Sequence, residues 1–116
     1  MPAPKPDLLR GTLDLLVLEV LRAGPLHGYA IGQQIQRLSD DLLRVEQGSL
    51  YPALYRMHRR GWLRSRWGTA SSGRRARIYS LTGVGKRRLA SESAAWRDYA
   101  EGVQRVLEQL SEHGDS

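Results

Sequence analysis

Between Gln47 and Arg88 the chain carries eleven lysines and arginines and not one carboxylate. The flanks are different: residues 1–46 hold five basic and six acidic side chains, and residues 89–116 hold two and six. The net charge of +6 is therefore the remainder of one strongly cationic block, and such a block is a footprint for a polyanion. At its start stands QGSLYPALYRMHRRGWL, residues 47–63. Leu50, Ala53, Leu54 and Met57 recur at i, i+3, i+4 and i+7, one apolar stripe of an α-helix. Tyr51, Tyr55, Arg56, Arg59 and Arg60 lie off that stripe, which leaves an outer face that is basic and aromatic. Hydroxyls and backbone N–H groups at a helix start suit phosphate, and Gln47 is able to read a base edge. A helix of this kind fits a DNA major groove. A surface helix with solvated arginines would carry the same charge, so the decision rests on the stretch after Leu63.

Other chemistries find little support. There is no cysteine, which removes disulfides, thiolate metal sites and thiol catalysis and fits a cytoplasmic protein. His27, His58 and His113 have no metal-ligand spacing. Asp40-Asp41 has no partner acid, and Ser49 has no histidine near it in sequence. Gly83-Val-Gly85-Lys86 has the flavour of a phosphate loop, but Ser80 stands where the first glycine belongs and Arg87 where Ser or Thr belongs. The expectation is no enzyme, no metal and no cofactor. No apolar run approaches the roughly 20 residues that span a bilayer. A membrane-surface role would use positive charge too, but the block lacks one long amphipathic helix.

The positioning elements come from periodicity. A first helix is expected over 11–23, capped by Thr12 or Asp7, with Leu13, Leu16, Val17, Val20 and Leu21 as its core stripe. Leu15 and Leu18 are surplus on the opposite side, so a second burial is expected there, against another subunit or the C-terminal helix. Gly24-Pro25 breaks the chain. A second helix is expected over 28–38 with Ile31, Ile35 and Leu38 inward, and then a polar connection in which Leu42 and Leu43 tuck in. In the third helix Ser49 is the N-cap candidate, Pro52 is expected in the first turn, and Gly61 is the stop. Three short helices of this spacing suggest a helix-turn-helix. Residues 62–68 and 76–82 fit two strands, joined by a Ser/Gly-rich loop. A hairpin directly after a recognition helix is a wing, and Arg74, Arg75 and Arg77 would meet phosphate or a minor groove. From Thr82, a possible cap, to about Glu112 the pattern is helical again. Leu89, Trp96, Val103 and Leu110 are seven apart, with Tyr99 and Val106 between them, which is a seam for pairing two helices.

These stretches together resemble the PadR family of bacterial transcriptional regulators, in its short, acidobacterial-type branch. The likeness is carried by GTLDLLVLEVL (11–21), GPLHGYAI (24–31), EQGSLYPALYRM (46–57), GWL (61–63) and GRRARIYSLTGVGKRRL (73–89). The resemblance implies a mainly helical winged helix-turn-helix with a small β-hairpin and a long C-terminal dimerisation helix. It implies a homodimer that usually represses transcription from an inverted repeat in a promoter. It would place Gln47, Gly48, Ser49 and Tyr51 where the recognition helix enters the groove, Tyr51 touching phosphate, and Arg74, Arg75 and Arg77 on the wing. Some members bind flat aromatic ligands between protomers, stacked on a tryptophan of the last helix; Trp96 is the matching position. As a plain seam residue, Trp96 would instead be a large knob in the dimer.

The expected organisation is a disordered tail at 1–7, a DNA-binding domain at 8–82 and a dimerisation helix at 83–116. The expected dimer contacts are Leu15, Leu18, Leu89, Trp96, Tyr99, Val103, Val106 and Leu110. The expected DNA contacts are Gln47, Gly48, Ser49, Tyr51, Tyr55, Arg56, Arg59, Arg74, Arg75 and Arg77. The expected partners are double-stranded DNA, a second copy of the chain and a small aromatic effector, in a cytoplasmic, nucleoid-associated protein. The competing reading is a sensor of planar aromatic molecules whose DNA contact is weak. Winged helices also bind RNA, and charge alone does not tell the two nucleic acids apart.

Overall fold

The computed structural model describes residues 6–114, with side chains described over 11–111. At the centre of the fold lies α1 (Pro6–Arg22), contacted by three other helices and one strand. Leu13, Val17, Leu18, Val20 and Leu21 are buried along it, and Leu15 and Leu16 pack at the edge of the same core. The second burial expected for this helix is met within the chain, where α1 packs on the C-terminal helix as well as on the others; the expected dimer contact at Leu18 is corrected. Leu18 is fully buried within its own chain, so it has no surface left for a second subunit. The helix is apolar nearly all round because it is the shared inner element of one domain. It also begins earlier than periodicity suggests. Asp7 and Thr12 both lie inside it, so neither is its cap, and Pro6 and Asp7 are helical rather than part of a tail. Residues 1–5 of the expected tail lie outside the described residues.

After the Gly24-Pro25 break come β1 (Leu26–His27) and α2 (Gly28–Leu38), which buries Ile31 and Ile35. Leu38, Leu42 and Leu43 do not turn inward; Leu42 is 85% exposed. The connection reverses tightly there. Asp40 and Asp41 both take left-handed backbone conformations (φ 57° and 67°), and the Ser39 hydroxyl accepts from the Leu43 N–H at 3.0 Å. The turn leads into α3 (Gln47–Arg59), whose buried residues are Leu50, Ala53, Leu54 and Met57, the stripe read from sequence.

Gly61, at φ 78°, ends α3 and sends the chain into β2 (Leu63–Thr69), then β3 (Arg75–Leu81). The sheet is antiparallel in the order β1-β3-β2, with β1 pairing Leu26 to Tyr79 and His27 to Ile78. A two-residue strand leaves no alternation to read, which is why β1 was not expected. The 32-residue α4 (Gly83–Gly114) is then launched from a built corner. Thr82 Oγ1 accepts from Gly85 N–H at 3.0 Å and donates to the carbonyls of Gly61 (2.6 Å) and Trp62 (3.1 Å). A Cβ at Gly85 would overlap the Trp62 carbonyl oxygen. The glycine of the apparent phosphate loop is therefore there to let helix and loop touch. At 1.5 Å per residue α4 is about 48 Å long, most of the 61 Å long axis of the molecule. Its first turns bury Leu89 in the core; beyond that it extends clear of the domain.

Candidate nucleic-acid interface

Two elements build the basic face. On α3, Gln47, Tyr51, Tyr55 and Arg59 stand four residues apart and so share one side, opposite the core stripe. Tyr51 is 43% exposed and Tyr55 64%, and Gln47, Gly48 and Ser49 are exposed in the first turn. The N-cap is Glu46, in extended conformation, and its carbonyl accepts from the N–H groups of Ser49 and Leu50. Ser49 is therefore inside the helix and is not its cap, contrary to the sequence reading. Pro52 also lies deeper than expected, where its missing N–H leaves the Gly48 carbonyl without its intrahelical donor.

Tyr51 is fixed by packing. Its ring covers the N-terminus of α2 so closely that a Cβ on Gly28 would come 2.7 Å from ring carbon Cε1. The glycine of His27-Gly28-Tyr29 thus makes room for Tyr51 of α3. Farther along, the Arg59 guanidinium lies 5.8 Å from the Tyr55 ring centroid and donates to the Tyr55 hydroxyl at 3.4 Å. Arg56 departs from expectation. It turns inward and pairs with Asp14 of α1, Nη2 to Oδ1 at 2.5 Å, with only 31% of the Arg56 side chain and 17% of the Asp14 side chain exposed. The assignment of Arg56 to DNA is corrected: its charge is engaged within the chain. Burial raises the Asp14 pKa above its ordinary value; Arg56, and more weakly Arg60, oppose the rise without cancelling it.

The second element is the hairpin. Its register pairs Leu63 with Leu81, Ser65 with Tyr79, Trp67 with Arg77 and Thr69 with Arg75. Those eight residues therefore share one face of the sheet, while Arg64, Arg66 and Ile78 occupy the other. The first face is buried at its base through Leu63 and Tyr79, and outward it becomes Trp67, Arg77 and Arg75. At that base it joins the buried cluster that also holds the α3 stripe. Burial raises the Tyr79 pKa; the Arg77 charge lowers it and Tyr51 raises it, both more weakly. Arg77 Nη1 donates to Ser65 Oγ at 2.8 Å, and both Arg75 and Arg77 rest 4.9 Å from the Trp67 ring centroid. At the tip, Gly73 (φ 87°) and a bond from Ala70 N–H to the Arg74 carbonyl close the turn and leave Arg74 exposed. Among the described residues no ion pair engages Arg59, Arg74, Arg75 or Arg77, and no group of side chains is arranged to hold a metal ion.

The sequence pattern of the transcriptional regulator PadR-like family matches residues 17–91, a span that includes α2, α3, the hairpin and the start of α4. The chain belongs to the PadR-like family. A PadR family transcriptional regulator from Eggerthella lenta is 36% identical, with 88% of this chain and 87% of that one aligned at a TM-score of 0.72. A transcriptional regulator from Clostridium thermocellum shares the fold at a TM-score of 0.78 and 24% identity, over 89% and 97% of the two chains. An uncharacterized protein of Lysinibacillus sphaericus is 25% identical over 104 residues, 90% of this chain and 95% of that one. Proteins of the PadR-like family are transcriptional regulators rather than enzymes, and the winged-helix fold with its long last helix is theirs. No helix among the described residues is long and apolar enough to cross a membrane.

Outside the basic face, α4 carries a second exposed surface. Trp96, Tyr99, Val103, Val106 and Leu110 are all exposed, and so is Leu107, which the heptad reading passed over. Leu89 belongs to the core of the chain, so the exposed stripe starts at Trp96 and not one heptad earlier. Trp96 and Tyr99 lie side by side, ring centroids 6.1 Å apart.

Proposed function

We propose that this PadR-like regulator is a dimeric, sequence-specific repressor that binds an inverted repeat in a promoter and is released by a small effector. The observation that carries this reading is the hairpin register, which gathers Arg75 and Arg77 on one face of the wing, with no carboxylate anywhere in the block to neutralise them. The first turn of α3, with Gln47, Gly48, Ser49 and Tyr51, enters the major groove. Tyr55 and Arg59 continue along the phosphates, and Arg74, Arg75 and Arg77 reach the adjoining backbone or minor groove. The α4 stripe from Trp96 to Leu110 pairs with its copy, because a row of half-exposed large apolar side chains this long is costly in water. Pairing sets two recognition helices about 34 Å apart, one turn of DNA, which is why the operator is palindromic. Such a protein works in the cytoplasm on the nucleoid.

Fluorescence anisotropy against the duplex upstream of the chain's own gene, beside a scrambled duplex, tests this reading. Tighter binding of the native duplex with two chains per site supports it. Equal binding with the same salt dependence reduces the basic face to a nonspecific footprint. A second reading rests on the exposed Trp96–Tyr99 pair, which offers aromatic surface to a planar effector at the near end of the α4 stripe. Quenching of tryptophan fluorescence by planar aromatic dyes, abolished by Trp96→Ala with the dimer intact, is its test.

A further inference from the structure

The wing carries an unusual arrangement for a DNA-facing hairpin. Trp67 is 55% exposed, far from the core, and two guanidiniums lie against its ring at the same 4.9 Å. Strand pairing produces this: Arg77 is directly opposite Trp67, and Arg75 is the diagonal neighbour two residues along the same face. Ser65 anchors Arg77 from below. Side chains as long as arginine lose rotamer freedom when they engage phosphate, and a ring that already holds them reduces that loss. A tryptophan face attracts guanidinium without neutralising it, so each charge stays available to an anion. A carboxylate in the same place would order the arginines but cancel them.

We infer that Trp67 is a positioning residue for DNA binding, its ring holding Arg75 and Arg77 extended along one face of the wing so that both meet backbone phosphates together. The inference rests on the DNA-binding reading above and adds a residue to it. Its effect passes through the two arginines and not through a contact of the indole with DNA. Arg64 and Arg66, on the opposite face, take no part in it.

The test measures anisotropy titrations of a random duplex and of the duplex upstream of the gene, each over a salt series that starts at low salt. Phosphate contact does not depend on sequence, so the random duplex is a sufficient probe. Trp67→Leu should weaken binding to both duplexes about tenfold, as expected for losing the preorganisation of two arginines. Trp67→Phe, which keeps a ring face, should recover most of the loss. The slope of log affinity against log salt should not change, because the arginines still reach their phosphates. In an Arg75→Gln/Arg77→Gln background, Trp67→Leu should cost less than about twofold. Thermal unfolding of Trp67→Leu should match the wild-type chain, which separates positioning from folding. Wild-type affinity in Trp67→Leu overturns the inference. So does a tenfold loss that persists without the two arginines, since the indole would then be touching DNA itself. If the wild-type chain binds neither duplex, the DNA-binding reading falls and this inference falls with it.

Discussion

The Asp14–Arg56 pair tests whether the interior charges of this fold support it or burden it. The pair joins α1 to α3, and water reaches it only in part. Burial outweighs the attraction of Arg56, since the Asp14 pKa is raised and not lowered. The two single substitutions should therefore differ in cost. Arg56→Met strands a carboxylate that is 17% exposed. Removing one partner of a fully buried pair costs roughly 3–5 kcal/mol, and partial solvation brings this to about 2 kcal/mol. Asp14→Asn leaves an arginine that can swing its head into water, and should cost under about 1 kcal/mol. The double variant Asp14→Asn/Arg56→Met should recover to within about 1 kcal/mol of the wild-type chain. Thermal unfolding at one fixed protein concentration reads this, with a fall of about 8 °C expected for Arg56→Met.

The pH dependence of the same pair has a definite sign. A carboxyl whose folded pKa exceeds its unfolded value binds its proton more tightly in the folded state, so its contribution to stability falls as pH rises through that window. Asp14→Asn should therefore gain on the wild-type chain from about pH 4 upward. If Asp14→Asn instead loses ground as pH rises, or costs as much as Arg56→Met, the ion pair is net stabilising and burial does not dominate it.

Three further outcomes are expected. Gly85→Ala should lower stability by at least about 2 kcal/mol in urea unfolding, because its Cβ meets the Trp62 backbone, which has no room to retreat; an unchanged midpoint would mean that α4 docks elsewhere. Arg74→Ala should weaken binding to all duplexes alike and flatten the salt slope by about one, whereas Arg56→Met should leave that slope alone. Gln47→Ala should alter sequence preference at one position of each half-site by about 1–3 kcal/mol; a preference that survives unaltered removes Gln47 from base readout.

Legibility in the sequence tracks the range of the interaction. The α3 stripe from Leu50 to Met57 is readable because a helix core face is a local repeat. Gly61 and Thr82 are readable because a positive φ and a cap constrain residue type at one position. Arg56 is misassigned because off-stripe arginines look alike in sequence, and the one with a partner finds it 42 residues away in α1. Leu18 and Leu89 are misassigned for the same reason: apolar type says that a side chain is covered, not which chain covers it. Leu38 and Leu42 err in the opposite direction: both are exposed, Leu38 at the very end of α2 and Leu42 just past two left-handed aspartates that turn the chain. The role of Trp67 has a signal, an aromatic among arginines on alternating positions. It becomes legible only with the register, because a one-residue slip would send Arg75 and Arg77 to the far face.

If α3 and the wing of two α4-paired protomers form one DNA-binding surface, the bound duplex must show it as a pattern. Hydroxyl-radical footprinting of the upstream duplex reads that pattern. Protected patches should lie on one side of the helix, centred about 10 base pairs apart and related by two-fold symmetry. A single patch, or uniform protection without periodicity, would mean that the two protomers do not present one surface to DNA.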